Sequence, residues 1–269
     1  MTDVLVLCYH AVSERWPAAL AIAPRHLEEH VSMLADRGYR GVTFHEAVTG
    51  RQTPKALAIT FDDAYRSVIE LALPILSQAG FPATVFAPTD FVGTEEPMAW
   101  PGIDQWRDSE HREELVPMSW EELDSLARAG WEVGSHTRSH PRLPTLESAA
   151  LDAELQGSRQ EIERHLGRPC HSLSYPYGDH DQHVVEAARR AGYAAAAGTL
   201  PGRYRPPTGP FDWPRFVVVR GDGNRRLGVK ISPLLRRLKA SPAWTVVAAA
   251  RHRRARRTKR PTGQSAAPS

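Results

Sequence analysis

Residues 56–63, Ala56-Leu57-Ala58-Ile59-Thr60-Phe61-Asp62-Asp63, decide the fold. The first six carry no charge and are mostly apolar, the pattern of a strand buried on both faces in a parallel sheet. Two adjacent carboxylates follow at once and mark the strand's C-terminal end. In parallel α/β folds that is the edge where reactive groups converge.

The pattern repeats outward from this stretch. Upstream, Val4–Leu7 is a short apolar run leading to Tyr9-His10. Pro24 opens a helix with Leu27, Val31 and Leu34 on one face and Gly38 as its stop. A second strand is expected over Arg40–Phe44 and a short helix over Glu46–Thr49. Downstream come a helix over Ser67–Gln78, a strand over Ala83–Ala87 and an irregular stretch from Thr89 to Pro117 that contains Trp100 and Trp106. Long loops of that kind commonly act as lids or binding loops. Ser119 and Glu122 then form a capping pair for a helix ending at Gly130. Strands over Trp131–Gly134, Ser172–Tyr175, Tyr193–Ala197 and Phe216–Arg220 complete the series, with helices over Leu146–Leu166 and His183–Ala191. This alternation predicts an α/β fold with a parallel sheet, either a barrel or an open sheet.

The chain has 269 residues, 41% hydrophobic and 24% charged, ordinary values for a globular protein. No run approaches the ~20 apolar residues of a membrane span. The opening MTDVLVLCYHAV lacks the basic n-region and long apolar core of a signal peptide, so the expected address is cytoplasmic. Cys8 and Cys170 are expected to be reduced thiols. The net charge of +3 conceals an asymmetry. Arg220 to Arg260 holds 14 Lys and Arg against Asp222 alone, leaving 20 basic and 30 acidic residues in 1–219. The expected organisation is a catalytic domain over 1–222, a basic helical extension over 223–257 and a disordered tail over 258–269. Ser232-Pro233 and Ser241-Pro242 would open two short helices in the extension. A basic segment of this kind suits an anionic membrane surface at the inner face, or remains a solvated extension. No specific nucleic acid partner is expected.

Three stretches can carry chemistry. Asp62 and Asp63 lie on successive residues of an extended chain and point opposite ways, so one can hold a metal while the other handles a proton. His136 and His140, in HTRSH, are spaced to face one cation. With a carboxylate they form a two-histidine, one-carboxylate face that leaves coordination positions open. Pro176 between Tyr175 and Tyr177 makes a rigid corner that can offer a backbone N–H to an oxyanion and an aromatic face to a sugar. Singly, these are also a helix cap, two exposed histidines and a turn.

Taken together, TFDD at 60–63, HTRSH at 136–140 and PYG at 176–178 resemble the motifs of the polysaccharide deacetylase (NodB-homology) family, a carbohydrate esterase type. The resemblance runs from LVLCYHAV to about Val219. It implies a distorted (β/α) barrel of about seven parallel strands that binds one divalent metal, most often Zn2+. By matching position, Asp63, His136 and His140 would hold the metal and Asp62 would be the general base. Tyr177 would offer its N–H to the oxyanion beside Pro176. The family often has an arginine two residues before that proline, where this chain has Ser174. Arg215, in Trp213-Pro214-Arg215-Phe216, is the candidate replacement partner of Asp62. The family's late histidine has no good match, since only His252 follows His183, and His10 is the candidate proton donor or pocket residue in its place. The expected activity is removal of N-acetyl groups from a sugar, glycan or glycolipid. The alternatives are a non-catalytic carbohydrate- or metal-binding homologue and an amidohydrolase of non-sugar acyl amides.

Overall fold

The computed structural model describes residues 4–50, 54–199, 207, 209–232 and 234. In chain order the first elements are β1 (Leu5–Tyr9), β2 (Ala11–Val12), β3 (Ala21–Ile22), α1 (Pro24–Asp36), β4 (Arg40–Val42) and α2 (Phe44–Thr49). Then come β5 (Ala56–Phe61), α3 (Leu73–Gln78), β6 (Thr84–Ala87), α4 (Trp120–Arg128) and β7 (Glu132–Ser135). The chain continues through α5 (Ser148–Leu166), β8 (Ser172–Ser174), α6 (Gln182–Arg190), β9 (Ala195–Thr199), β10 (Trp213–Val217) and α7 (Asn224–Lys230).

Seven of these strands close a ring in the order β1-β10-β9-β8-β7-β6-β5 and back to β1, all parallel. The expected (β/α) barrel of about seven strands is the fold. Its distortion has a definite source. One edge of β5 pairs with β1 from Leu57 to Phe61. The other edge is divided, with β4 paired to Ala56–Ala58 and the short β6 to Thr60–Phe61. β4 therefore stands outside the ring and covers the part of the edge that β6 does not reach. Gly41 permits this, because a Cβ there would lie 2.9 Å from the Phe81 Cα.

Period-two alternation sorts the strand side chains between two cores. Outward residues such as Leu5, Leu7, Ile59, Val85 and Leu173 join the layer of helices through Leu27, Leu34, Leu123, Leu151 and Val184. Inward residues Val6, Ala58, Phe86, Ala195 and Ala197 form a second cluster, which Phe44 of α2 joins. Phe44 is there because a Thr43–Glu46 capping box starts α2 at that residue. That corrects the sequence reading, which ran the strand through Phe44.

Two other boundaries differ. The helix expected over Ser67–Gln78 contains a π turn at Val68–Ala72 before α3. Pro74 has no N–H to give the ladder, and the Leu73 N–H instead reaches back to the Val68 carbonyl. The last strand is Trp213–Val217, starting three residues earlier than Phe216. Pro214 disguised it, since a proline inside a run argues against a strand. The described part of the C-terminal extension, α7, docks on the body by burying Leu227 and Ile231 in the main core. The two helices expected from Ser232 and Ser241 onward lie almost wholly outside the described residues. No helix among the described residues is long and apolar enough to cross a membrane. Cys8 and Cys170 are buried free thiols.

Candidate active site

Above the apolar layer the barrel lumen turns polar. Arg215 enters from β10, 2% exposed, and lies over the Phe86 ring at 5.5 Å. Its guanidinium grips Asp62 with two parallel bonds, Nη1 to Oδ1 and Nη2 to Oδ2, each 2.7 Å. The remaining donors are also satisfied, by Thr60 Oγ1 at 3.0 Å, Ser174 Oγ at 2.8 Å and the Gly198 carbonyl at 3.3 Å. Ser174, the position where the family often has arginine, gives its own hydroxyl to Asp62 Oδ2 at 3.3 Å, and the Cys8 thiol lies 3.5 Å from the same oxygen. The small side chains Cys8, Thr60 and Ser174 leave the volume that the guanidinium fills. Burial alone would raise the Asp62 pKa, but the charge of Arg215, helped by His136, outweighs it and holds the carboxyl far below the usual range. The partnership expected between Arg215 and Asp62 is a contact in the structure.

Asp63 turns the other way. Its φ of 71° carries the chain over the end of β5, and its carboxylate meets the loop that follows β7. Asp63 Oδ1 stands 3.4 Å from His136 Nε2 and 3.6 Å from His140 Nε2. Ligand atoms from the three residues all lie within 4.8 Å of one another, and all three residues are buried. Despite its burial, Asp63 Oδ1 has no hydrogen-bond partner among the described residues. His136 Nδ1 donates to the Ser174 carbonyl at 2.8 Å, which turns Nε2 toward Asp63, and the Asp62 and Asp63 carboxylates outweigh burial to raise the His136 pKa. A carboxylate oxygen without a hydrogen bond beside two imidazole nitrogens is the donor set of a small divalent cation, and the residues fit one. Burial, with the charge of His136 adding to it, pushes His140 down to about 3, so its ring is neutral at neutral pH.

This loop is strained. Thr137 and His140 have φ of 66° and 60°, values β-branched and bulky residues rarely adopt. Local bonds hold them, Thr137 N–H to Ser135 Oγ at 3.0 Å and His140 N–H to Thr137 Oγ1 at 3.1 Å. Strain that concentrates at strand ends facing a pocket is a common mark of function.

The other expected residues border the same space. His10 follows β1, and a ring nitrogen of it lies within 4.8 Å of ligand atoms of Asp62 and Cys8. Its Nδ1 is buried and unpartnered among the described residues, and burial lowers its pKa. Pro176, Tyr177 and Gly178 form a 3-10 turn after β8 in which Tyr177 has a φ of 59°. Gly178 is required there, because a Cβ would lie 2.6 Å from the Thr199 backbone nitrogen. The Tyr177 ring meets His140 edge-on at 4.7 Å, and Arg142 covers its face at 4.4 Å. One face of the ring expected to meet sugar is thus covered by an arginine.

Residues 49–196, more than half of the chain, match the family profile described as polysaccharide deacetylase. The chain belongs to the polysaccharide deacetylase family. Membership places it among hydrolases of carbon–nitrogen bonds other than peptide bonds, of the carbohydrate N-deacetylase type. A Bacillus subtilis (strain 168) protein, YxkH, assigned by name to the polysaccharide deacetylases, is 26% identical over 234 residues, covering 85% of this chain and 76% of that one. The poly-beta-1,6-N-acetyl-D-glucosamine N-deacetylase of Staphylococcus aureus (strain N315) is 22% identical over 185 residues, 64% of this chain and 59% of its own length. The chain thus spans less than two thirds of that relative. Among solved structures, the Streptococcus pyogenes deacetylase PplD in complex with acetate superposes with a TM-score of 0.70 at 18% identity, covering 86% and 98% of the two chains. IcaB from Ammonifex degensii does so with 0.68 at 24%, covering 86% and 97%. Both likenesses are of fold.

Three deacetylase-site features escaped the sequence reading. Cys8 is expected only as a reduced thiol, although alternation from His10 puts it on the same inward face. Thr60 lies in the quoted motif, yet nothing in the motif marks it as an Arg215 partner. Trp100 was placed in an irregular loop and is stacked on His140 at 4.1 Å. No spacing rule links residues 40 apart, so only the fold reveals that contact.

Proposed function

We propose that this polysaccharide deacetylase removes N-acetyl groups from an N-acetylated sugar polymer or glycolipid, with a divalent cation held by Asp63, His136 and His140. The observation that carries the reading is the pair of adjacent aspartates with opposite surroundings. Asp62 is locked to a buried arginine, while Asp63 has an oxygen free of hydrogen bonds beside two histidines. One is equipped for protons and the other for a cation. The nitrogen and oxygen donor set favours zinc. Such a cation supplies charge to polarise the acetamide carbonyl and to acidify the attacking water toward a pKa of ~7.

The chain's own groups account for the proton steps. Asp62 Oδ2 already accepts from Arg215 and Ser174 with Cys8 beside it, whereas Oδ1 has Arg215 alone, so Oδ1 is the oxygen with a lone pair left. Asp62 takes a proton from water there as the carbon–oxygen bond forms, and the Tyr177 N–H faces the developing oxyanion. Because Arg215 makes protonated Asp62 a strong acid, the proton leaves it readily. His10, kept neutral by burial, is placed to pass that proton to the departing nitrogen as the carbon–nitrogen bond breaks. The products are acetate and a free amine. A binding module would gain nothing from a carboxylate held ionised in this way, which argues for an enzyme.

The test is acetate release from N-acetylglucosamine oligomers by the chelated protein, before and after zinc is restored. Zinc-dependent release lost in Asp63→Ala supports the reading. Equal release by chelated and zinc-loaded protein sinks it.

A further inference from the structure

The two histidines of the cluster are held differently. His136 is oriented by the Ser174 carbonyl at its Nδ1. His140 Nδ1 is buried and has no hydrogen-bond partner among the described residues. A ligating imidazole ordinarily gives that N–H to a carbonyl, carboxylate or water, which fixes the ring for the cation.

His140 has ring contacts instead. Trp100 lies against it nearly parallel, with centroids 4.1 Å apart and planes at 22°. Tyr177 closes its edge, and Phe91 meets Trp100 at 5.3 Å in a T-shaped contact. Trp100 is 8% exposed, so with one face on His140 and Phe91 against it, it is poorly placed as a sugar platform. Its loop is also tied to the histidine loop, through Thr89 N–H to the Thr137 carbonyl at 3.1 Å and Asp90 N–H to the Arg138 carbonyl at 3.0 Å.

We propose that Trp100 is a positioning residue for the cation site, holding the His140 ring by stacking where other ligand histidines use a hydrogen bond. This rests on the cation reading above. Stacking fixes the ring plane but leaves Nδ1 without an acceptor, so orientation here depends on the 89–117 loop being closed. Cation affinity and closure of that loop are therefore linked.

The test uses the full chain, stripped by chelator. Zinc affinity is measured by competition with a chromophoric chelator, and cobalt binding by quenching of tryptophan fluorescence. Trp100→Leu should weaken zinc roughly tenfold, the scale of a lost outer partner, with the thermal midpoint of the stripped protein within a few degrees of wild type. Trp100→Phe, which keeps a stacking ring, should hold zinc within about threefold of wild type yet lose most of the cobalt quenching. Wild-type affinity in Trp100→Leu overturns the proposal, as does a Trp100→Phe loss equal to that of Trp100→Leu. If Trp100→Leu does not fold, Phe91→Leu decides, since it removes the brace of Trp100 and touches no ligand. It should weaken zinc measurably, and an unchanged affinity overturns the proposal. A wild-type protein that binds neither metal overturns this inference and the cation reading together, which separates the two failures.

Discussion

At the level of Val6 and Ala58 the barrel lumen is mostly apolar, filled by Val6, Ala58, Ala195 and Phe86 with Phe44 joining them. Two residues further along β1 and β5, Cys8 and Thr60, joined by Ser174 of β8, surround the Arg215–Asp62 pair. The strands, direction and alternation are the same in both layers, and only side-chain volume and polarity change. The lower layer closes the lumen beneath the charges and rests Phe86 under the guanidinium. The upper layer keeps small hydroxyls and a thiol so that a fork of donors can reach a carboxylate. A buried ion pair need not stabilise the fold relative to an apolar filling. Its return lies in the ionisation of Asp62.

The comparison can be broken at either layer. The largest effect belongs to Asp62→Asn, which removes the proton acceptor and should slow acetate release by roughly 10²–10⁴-fold. A loss below tenfold would mean the base lies elsewhere. Arg215→Met leaves Asp62 buried without its cation and should cost about 3–5 kcal/mol in urea unfolding. Burial then acts against His136 and His10 alone and the Asp62 pKa rises, so the acid limb of the rate profile moves to higher pH; an unmoved limb would show that Arg215 does not govern the base. Ala195→Leu overfills the apolar layer and should cost about 1–3 kcal/mol, with the acid limb in place. A shifted limb there would mean the two layers are coupled. The smallest effect is expected from Ser174→Ala, about 1 kcal/mol with a slight upward drift of the limb, read by the same two measurements.

Much of this could be read from residue patterns. The uncharged run at 56–61 and its repeats imply parallel strands, and adjacent carboxylates at a strand end must diverge. Arg215 was readable through the family resemblance, which often has an arginine where this chain has Ser174. The failures follow from position rather than composition. Arg40–Val42 looks like any other strand, and only the shortness of β6 leaves it outside the ring. Pro214 hid the start of β10, and a proline in the first turn of α3 turned one expected helix into two segments. The contacts of Trp100 and Cys8 join residues far apart in the chain, where periodicity is silent.

The ring is closed by pairing the last strand with the first, and the strand that closes it brings Arg215. During synthesis Asp62 emerges 153 residues before its partner. Until β10 docks, the nascent sheet has a carboxylate facing its interior with no counter-charge, and water is its better solvent. Completing the barrel and neutralising that charge are therefore one event, which ties the last step of assembly to the group that readies the site for chemistry.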